Sequence, residues 1–218
     1  DIRDEGQVQA LVGETITVFG RLDGLVNNAG GQFPSPLAAI TQKGWETVVR
    51  TNLTGGFLVA REAYAQWMET HGGAIVNVVA DFWNGMPGMG HSGAARAGMV
   101  NFTETAALEW GPSHVRVNAV APGWIASSGM DHYPEEMAEV IRGLAAHVPL
   151  ARLGTESEVS AGIVFLLSDA ARFISGTTLR IDGAAPNVRA QWPMPERTPA
   201  PAFEAFPLAK KPKVLGID

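Results

Sequence analysis

Three stretches of this chain are apolar at nearly every position rather than at every second one: Leu22 to Val26, Ala74 to Ala80 and Val115 to Ala121. A strand with one wet face alternates apolar and polar residues, whereas a strand covered on both faces reads as a continuous apolar run. Helical spacing fills the sequence between these runs. Val8, Leu11, Val12, Ile16 and Phe19 recur at helical intervals behind Asp4, an N-cap residue with Gln7 three residues on, and Gly20 stops the pattern. From Thr41 a long stripe runs through Trp45, Val48, Val49, Leu53, Phe57, Ala60, Tyr64, Trp67 and Met68, and ends at His71-Gly72-Gly73. His91 to Trp110 reads as another helix. A capping box, Thr155-Glu156-Ser157-Glu158, opens a further one through Val159, Ile163, Val164 and Leu167, and Thr177 to Ile181 is a last strand before Asp182-Gly183. Buried strands alternating with helices predict an α/β fold in which a parallel sheet is covered on each side.

Composition sets the remaining limits. A length of 218 residues with 46% hydrophobic content suffices for one sizeable core. Of the 14 prolines, seven lie in residues 186–218, which show no periodicity. The expected division is a domain over 1–185 and a proline-rich tail over 186–218 that docks on a neighbour or stays mobile. The absence of cysteine excludes a disulfide scaffold and a cysteine-based zinc site. A net charge of −6 with scattered basic residues argues against nucleic-acid binding. No apolar run reaches the roughly 18 residues of a membrane span, so a cytoplasmic location is expected. His71, His114, His132 and His147 have no metal-ligand spacing, and no metal is expected. No G-x-S-x-G elbow supports a serine hydrolase. Lys210, Lys211 and Lys213 read as a solvated part of the tail rather than a phosphate site.

In doubly wound folds, ligands bind where strands end and helices begin. Asn27-Asn28-Ala29-Gly30 sits at such an end, and its small residues admit either a close ligand approach or an ordinary tight turn. Asn52 falls on the apolar stripe of the long helix and should point inward, where its amide needs partners. It serves either as a satisfied core amide or as an active-site anchor. The segment from Asp81 to Gly90 follows a buried strand, and its Phe82, Trp83 and methionines suit an apolar pocket or a hydrophobic plug. Polar groups nearby are Asp81, His91, Ser92 and Arg96. Ser92 and Arg96, four apart, share a helix face. His91 is able to titrate near neutrality or to serve as a structural hydrogen-bonder. Arg96 cannot act as a general base and would work as a cation or a bidentate donor.

Taken in order, these motifs resemble the short-chain dehydrogenase/reductase family. The resemblance rests on Asn27-Asn28-Ala29-Gly30, Asn52 in Thr-Asn-Leu-Thr-Gly, Asn77, Arg116-Val-Asn118, Pro122-Gly123-Trp-Ile125, Pro149-Leu-Ala-Arg152 and Ser175-Gly176…Asp182-Gly183. It covers Asp1 to about Gly183 and implies a Rossmann-type doubly wound parallel sheet whose first strands and glycine-rich phosphate loop are missing from these residues. It also implies an NAD or NADP cofactor, with NADPH favoured, and a homo-oligomer, dimer or tetramer. Asn28, Ala29 and Gly30 would lie beside the adenosine ribose, Asp1 and Ile2 at the adenine, and Pro122, Gly123, Ile125 and Ser127 along the nicotinamide. Asn52 would belong to the family's Asn, Ser, Tyr and Lys tetrad, and Arg96 would contact the ribose.

The departures from the family pattern carry as much information. The family serine falls near Val79-Ala80 and is absent, and the family's Y-x-x-x-K pair is Ser92-x-x-x-Arg96. Gly31-Gln32-Phe33, Lys43-Gly44-Trp45, Trp67-Met68 and His91-Ser-Gly-Ala-Ala-Arg96 look like peroxisomal trans-2-enoyl-CoA reductase and its bacterial relatives. The related 2,4-dienoyl-CoA reductases place their tyrosine fifteen residues before the lysine, a position held here by Asp81. The acid is therefore expected from Asp81, His91, Tyr133 or bound water, and the enolate oxygen to be held by Ser92 or an Asn52-linked water. Residues 127–148 resemble the family's substrate lid, with Tyr133 and Trp124 joining Phe82 and Trp83 at the substrate. The expected activity is reduction of a 2-enoyl-CoA or similar apolar substrate. A terpenoid or long-chain alcohol/aldehyde dehydrogenase is the alternative, and a non-catalytic fragment or pseudoenzyme without tight dinucleotide binding is the second.

Overall fold

The structure is a computed structural model and describes residues 1–206 and 210–216. Its centre is a four-stranded, all-parallel sheet in the order β1 (Gly24–Asn27), β2 (Gly73–Val78), β3 (Val115–Pro122) and β4 (Thr178–Ile181). Each strand falls on one of the predicted runs. Before β1 runs α1 (Glu5–Phe19), capped by the Asp4 carboxylate accepting from the Gln7 amide N–H and ended by Gly20 at φ 71°. The predicted capping box at Thr155 is present in full and starts α7 (Glu156–Leu167).

The continuous apolar pattern of β2 and β3 now has its cause, since the two faces pack against different helices. Ile75 and Val117 join Ala60 and Ala63 of α3 (Gly56–Ala63), Met68 just beyond it and Ala106 of α5 (Gly90–Trp110) on one face. Val76 and Val120 meet Leu166 of α7 on the other. These side chains are all within 2% of complete burial. At ~25 cal/mol per Å² of apolar area, such layers supply the main stabilisation of the sheet.

The stripe from Thr41 is not one regular helix. It runs as α2 (Gln42–Val49), a π-turn over Arg50–Gly55, α3, a second π-turn over Tyr64–Met68, and the short α4 (Glu69–His71). Each π-turn takes one more residue than an α-turn, so the inward face shifts along the sequence. Asn52 lies within the first π-turn and is buried, as the stripe predicted.

Amides inside the fold are satisfied pairwise. Asn27 Nδ2 donates to Gly56 O at 3.1 Å and to Asn77 Oδ1 at 2.9 Å, and Asn77 Nδ2 donates to Thr103 Oγ1 at 2.9 Å. Asn118 Nδ2 donates to Ile174 O, and its Oδ1 accepts from Thr177 N–H, which fastens β3 to the approach of β4.

After β3 the chain crosses the C-terminal ends of the strands through short 3₁₀ turns and α6 (Ala138–Gly143) before α7. The described part of the tail makes hydrogen bonds to its own chain. Arg152 donates to Ala200 O and Pro201 O, Thr155 Oγ1 donates to Phe203 O, and Arg142 Nε donates to Val214 O. Asp131 accepts from the backbone N–H groups of Lys213 and Val214. Lys210, Lys211 and Lys213 belong to this docked segment, whereas residues 207–209 and 217–218 of the expected tail lie outside the described residues. No helix among the described residues is long and apolar enough to cross a membrane.

Candidate active site

The C-terminal end of β1 turns sharply after Asn27, and Asn52 holds that turn. Its Nδ2 donates to Gly31 O at 2.6 Å and its Oδ1 accepts from Gly31 N–H at 3.0 Å. Both halves of the amide are thus engaged by one backbone unit. Gly30 occupies the gap between Asn52 and Arg96: a Cβ there would stand 2.6 Å from Asn52 Oδ1 and 2.8 Å from Arg96 Nη2. The sequence separations are large, yet the fold brings Asn28-Ala29-Gly30, Asn52 and Arg96 into one cradle. Arg96 Nη1 donates to Val78 O at 2.6 Å, while its buried Nε has no partner among the described residues. Burial lowers the guanidinium's pKa from its ordinary value. The cradle can be tested directly. Gly30→Ala is expected to cost roughly 1–3 kcal/mol by overpacking, read as a lower Tm. Gly31→Ala, whose Cβ meets nothing within 4 Å, is the control. Equal melting of the two variants would contradict the close approach.

On the other side of the strand ends lies a cavity of about 390 Å³. It is lined by Met86, Met89, Met130 and Met137 together with Asp81, Trp124 and Tyr133. Pro122 and Gly123 close the end of β3, and Gly123 is pressed so near Asp182 that a Cβ would stand 2.8 Å from the Asp182 Cα. Ile125 then pairs with Gly154 in an isolated parallel bridge, and Ser127 N–H donates to Ile125 O. Asp81 Oδ1 is buried without a hydrogen-bond partner among the described residues. Its desolvation, with the nearby Asp182 charge, raises the carboxyl's pKa above the ordinary aspartate value, against an opposing pull from Arg180.

The remaining expected residues are distributed differently. Phe82 and Trp83 stack on one another at 4.5 Å, and Arg180 lies over Trp83 at 5.3 Å, so this pair forms a surface cluster outside the cavity wall. His91 is fully buried, accepts from Ser92 N–H through Nδ1, and meets the Phe33 ring at 4.5 Å edge-on. Accepting through Nδ1 leaves Nε2 as the donor, and that buried atom has no partner among the described residues. Asp1 pairs with Arg3, and Ile2 packs against Gly55 at the N-terminal edge of the site. Among the described residues no three His, Asp or Glu side chains are placed to hold a metal ion.

Ser92 is fully buried and does not border the cavity. Its Oγ–H donates to Gln32 Oε1 at 2.7 Å, and Gln32 Nε2 donates to Tyr133 Oη at 2.8 Å. Gln32, which the sequence reading used only as part of a resemblance motif, is a cavity residue here. Its signal in the sequence was its place directly after the glycines of the β1 turn.

This geometry defines a class: a doubly wound α/β domain with its candidate site at the C-terminal strand ends. The model for the family described as enoyl-(acyl carrier protein) reductase matches residues 1–184, and the chain belongs to the short-chain dehydrogenase/reductase family. Among curated relatives, the probable 2,4-dienoyl-CoA reductase of Bacillus subtilis (strain 168) is 38% identical over 186 residues, covering 84% of this chain and 73% of that protein. The peroxisomal 2,4-dienoyl-CoA reductase of Danio rerio is 38% identical over 189 residues, 85% of this chain and 62% of that protein. Among solved structures, a citronellol catabolism dehydrogenase (AtuB) of Pseudomonas aeruginosa PAO1 is 61% identical with a TM-score of 0.75, over 85% of this chain and 71% of that one. More distant solved relatives carry the dinucleotide: an actinorhodin polyketide ketoreductase with NADPH (29% identical, TM-score 0.81, 86% of this chain and 76% of that one) and an NAD+-bound xylitol dehydrogenase (28%, 0.77, 84% and 76%).

Proposed function

We propose that this domain serves an NAD(P)-dependent reduction of a carbon–carbon double bond conjugated to a carbonyl in an apolar substrate, a 2-enoyl-CoA being the leading candidate. The observation that carries this reading is Asp81: an acid of raised pKa in the lining of a methionine-rich cavity, in a site whose helix offers Ser92 where the family has tyrosine. Enoyl reduction asks for a proton at the α-carbon and for donors to an enolate oxygen. Alcohol oxidation instead asks for a base at a hydroxyl. A carboxyl whose hold on its proton is strengthened by burial suits the first requirement.

The residues fit a dinucleotide. Gly30 lets the backbone of the turn lie directly against Asn52 and Arg96, and the buried Nε of Arg96 has no partner among the described residues. Arg96 and the Asn28-Ala29-Gly30 turn would hold the ribose, with Asp1 and Ile2 toward the adenine. Pro122, Gly123, Ile125 and Ser127 would border the nicotinamide. When bound, the nicotinamide supplies hydride. Asn52 fixes the turn, the methionines and Trp124 exclude water from the acyl chain, and Asp81 holds the proton for the α-carbon. NADPH as the preferred form, a homo-oligomer and a cytoplasmic location belong to the same proposal.

One observation favours a second reading: the 61% identity to a citronellol catabolism dehydrogenase points to a terpenoid alcohol or aldehyde. Steady-state rates decide between them. NADPH oxidation with 2-octenoyl-CoA is expected to exceed NAD+ reduction with citronellol by at least about tenfold. Faster turnover of citronellol would overturn the first reading, and no turnover of either would favour a non-catalytic role.

A further inference from the structure

One wall of the cavity is built by the segment between β3 and α7: Met130, Tyr133, Met137, Val140, Ile141 and Leu144 all line it. Between Ser128 and His147 this segment holds no strand, only short 3₁₀ turns around α6, itself six residues long. Elements this short have little stability of their own, so the wall stands where its ties place it. One tie is Tyr133 Oη, which accepts from Gln32 Nε2 at 2.8 Å.

The other ties come from the tail, and two of them meet in a single residue. The Asp131 carboxylate accepts from Val214 N–H at 3.0 Å and from Lys213 N–H at 3.2 Å. Val214 O accepts from Arg142 Nε at 2.8 Å. Asp131 directly follows Met130 and Arg142 directly follows Ile141, so each anchor is the chain neighbour of a cavity-lining residue. Val214 thereby bridges the two ends of the wall with its own backbone N–H and C=O. The 3₁₀ turn that presents it, Lys213–Leu215, is seated by a buried Pro212 and by the half-buried Val214 and Leu215. Arg197 Nη2 donates to Ala146 O at 2.6 Å and fastens the far end of the same segment. These tail residues lie beyond 1–184, the part that the family model matches, so the family match does not account for them.

We propose that the C-terminal tail is part of the substrate cavity: Val214 clasps Asp131 and Arg142, and these two are positioning residues that hold the cavity wall in place before substrate arrives. The assignment rests on the reading of this cavity as the substrate site. A wall held beforehand spares the ordering cost that binding would otherwise carry. The clasp therefore acts on substrate affinity and little on the chemical step.

Hydrogen exchange by mass spectrometry on the full chain tests the clasp without substrate. Both anchors act through Val214, so Asp131→Ala should speed exchange in residues 138–147 and Arg142→Ala in residues 128–133, each by about 3- to 10-fold. The double variant should be little worse than either single one, since loss of either anchor frees the same residue. Lys213→Ala, which keeps its N–H, should exchange like the unsubstituted chain. Steady-state kinetics give a second readout. With whichever of 2-octenoyl-CoA and citronellol is turned over, Asp131→Ala and Arg142→Ala should raise KM by about 3- to 10-fold and leave kcat within about twofold. Exchange that changes only at the substituted anchor, or additive effects in the double variant, overturns the clasp. Exchange cross-effects with an unchanged KM overturn its role in the cavity. If neither substrate is turned over, the reading of the cavity fails instead, and the exchange cross-effects alone sustain or overturn the clasp.

Discussion

Asp81→Asn is expected to lower kcat for 2-octenoyl-CoA reduction by about 10²–10⁴-fold, the range for removing a general acid. The same substitution should make the folded chain more stable at neutral pH. Desolvation first, and the Asp182 charge second, raise the Asp81 pKa in the fold, so the folded state holds this proton more tightly than the unfolded chain does. The cost of burying the ionised form is therefore absent at low pH and grows as pH rises through and beyond the ordinary carboxylate value. Asparagine removes that cost. Unfolding midpoints in denaturant at several pH values check the sign: the variant's advantage should appear only as pH rises. Activity of the unsubstituted enzyme should show the matching decline as Asp81 deprotonates. A variant with full activity, or with a pH-independent stability difference, would remove Asp81 from the proton-donor role.

The second large effect is one of stability and lies at the start of α7. Arg152 grips Glu158 through both guanidinium nitrogens, at 2.8 and 2.6 Å, and the Thr155 and Phe203 amides add to the same carboxylate. The pair is only 18% and 20% exposed, and it holds the Glu158 pKa down at about 2. A depressed carboxylate contributes stability that is present above its unfolded-state value and is lost as pH falls toward the folded one. Here that window runs from about 4.5 down to about 2. The displacement corresponds to a contribution on the order of 3 kcal/mol at neutral pH. Glu158→Gln should therefore be destabilised by an amount of that order at pH 7, and the gap should close as pH approaches 2. Arg152→Leu should be worse, since it also strips the donors from Ala200 O and Pro201 O and releases the tail. An equal gap at pH 7 and pH 3 would show that the pair does not carry this linkage.

Sequence patterning located the strands and the ends of the helices well because those features are local. Asp4, Gly20 and the Thr155 capping box terminate helices by contacts within a few residues, and the runs at Ala74 and Val115 are apolar because each face has its own helix. The π-turns could not be read that way. A 3.6-residue period continues through Arg50–Gly55 with little visible disturbance, although the backbone there takes an extra residue to seat Asn52. The site divides along the same line. Asn52 and Arg96 stood out as polar residues on helix faces turned inward, and Asp81 as a carboxylate directly after a buried strand. Phe82 and Trp83, read as substrate contacts from their place on a strand-end loop, stack on one another with Arg180 over Trp83. Gln32 was not read as a site residue, because an exposed glutamine in a glycine-rich turn carries no period and no unusual chemistry. Its role depends on Ser92, sixty residues away, and Tyr133, one hundred and one away.

The paired amides of the central strands bear on how the chain avoids misassembly. Asn27 stands directly opposite Asn77 in the β1–β2 pairing, and the latter is completely buried. Sliding β1 so that Val26 stands there would leave the Asn77 side-chain oxygen without its donor. A buried polar group stranded in this manner costs about 1–3 kcal/mol. The slide would also take Asn27 away from Gly56 O and so loosen the hold of β1 on α3. Apolar contacts alone discriminate poorly between neighbouring alignments of Leu25 and Val26. The asparagines act as a keyed joint, accepting one alignment of the two strands and penalising the adjacent ones during folding.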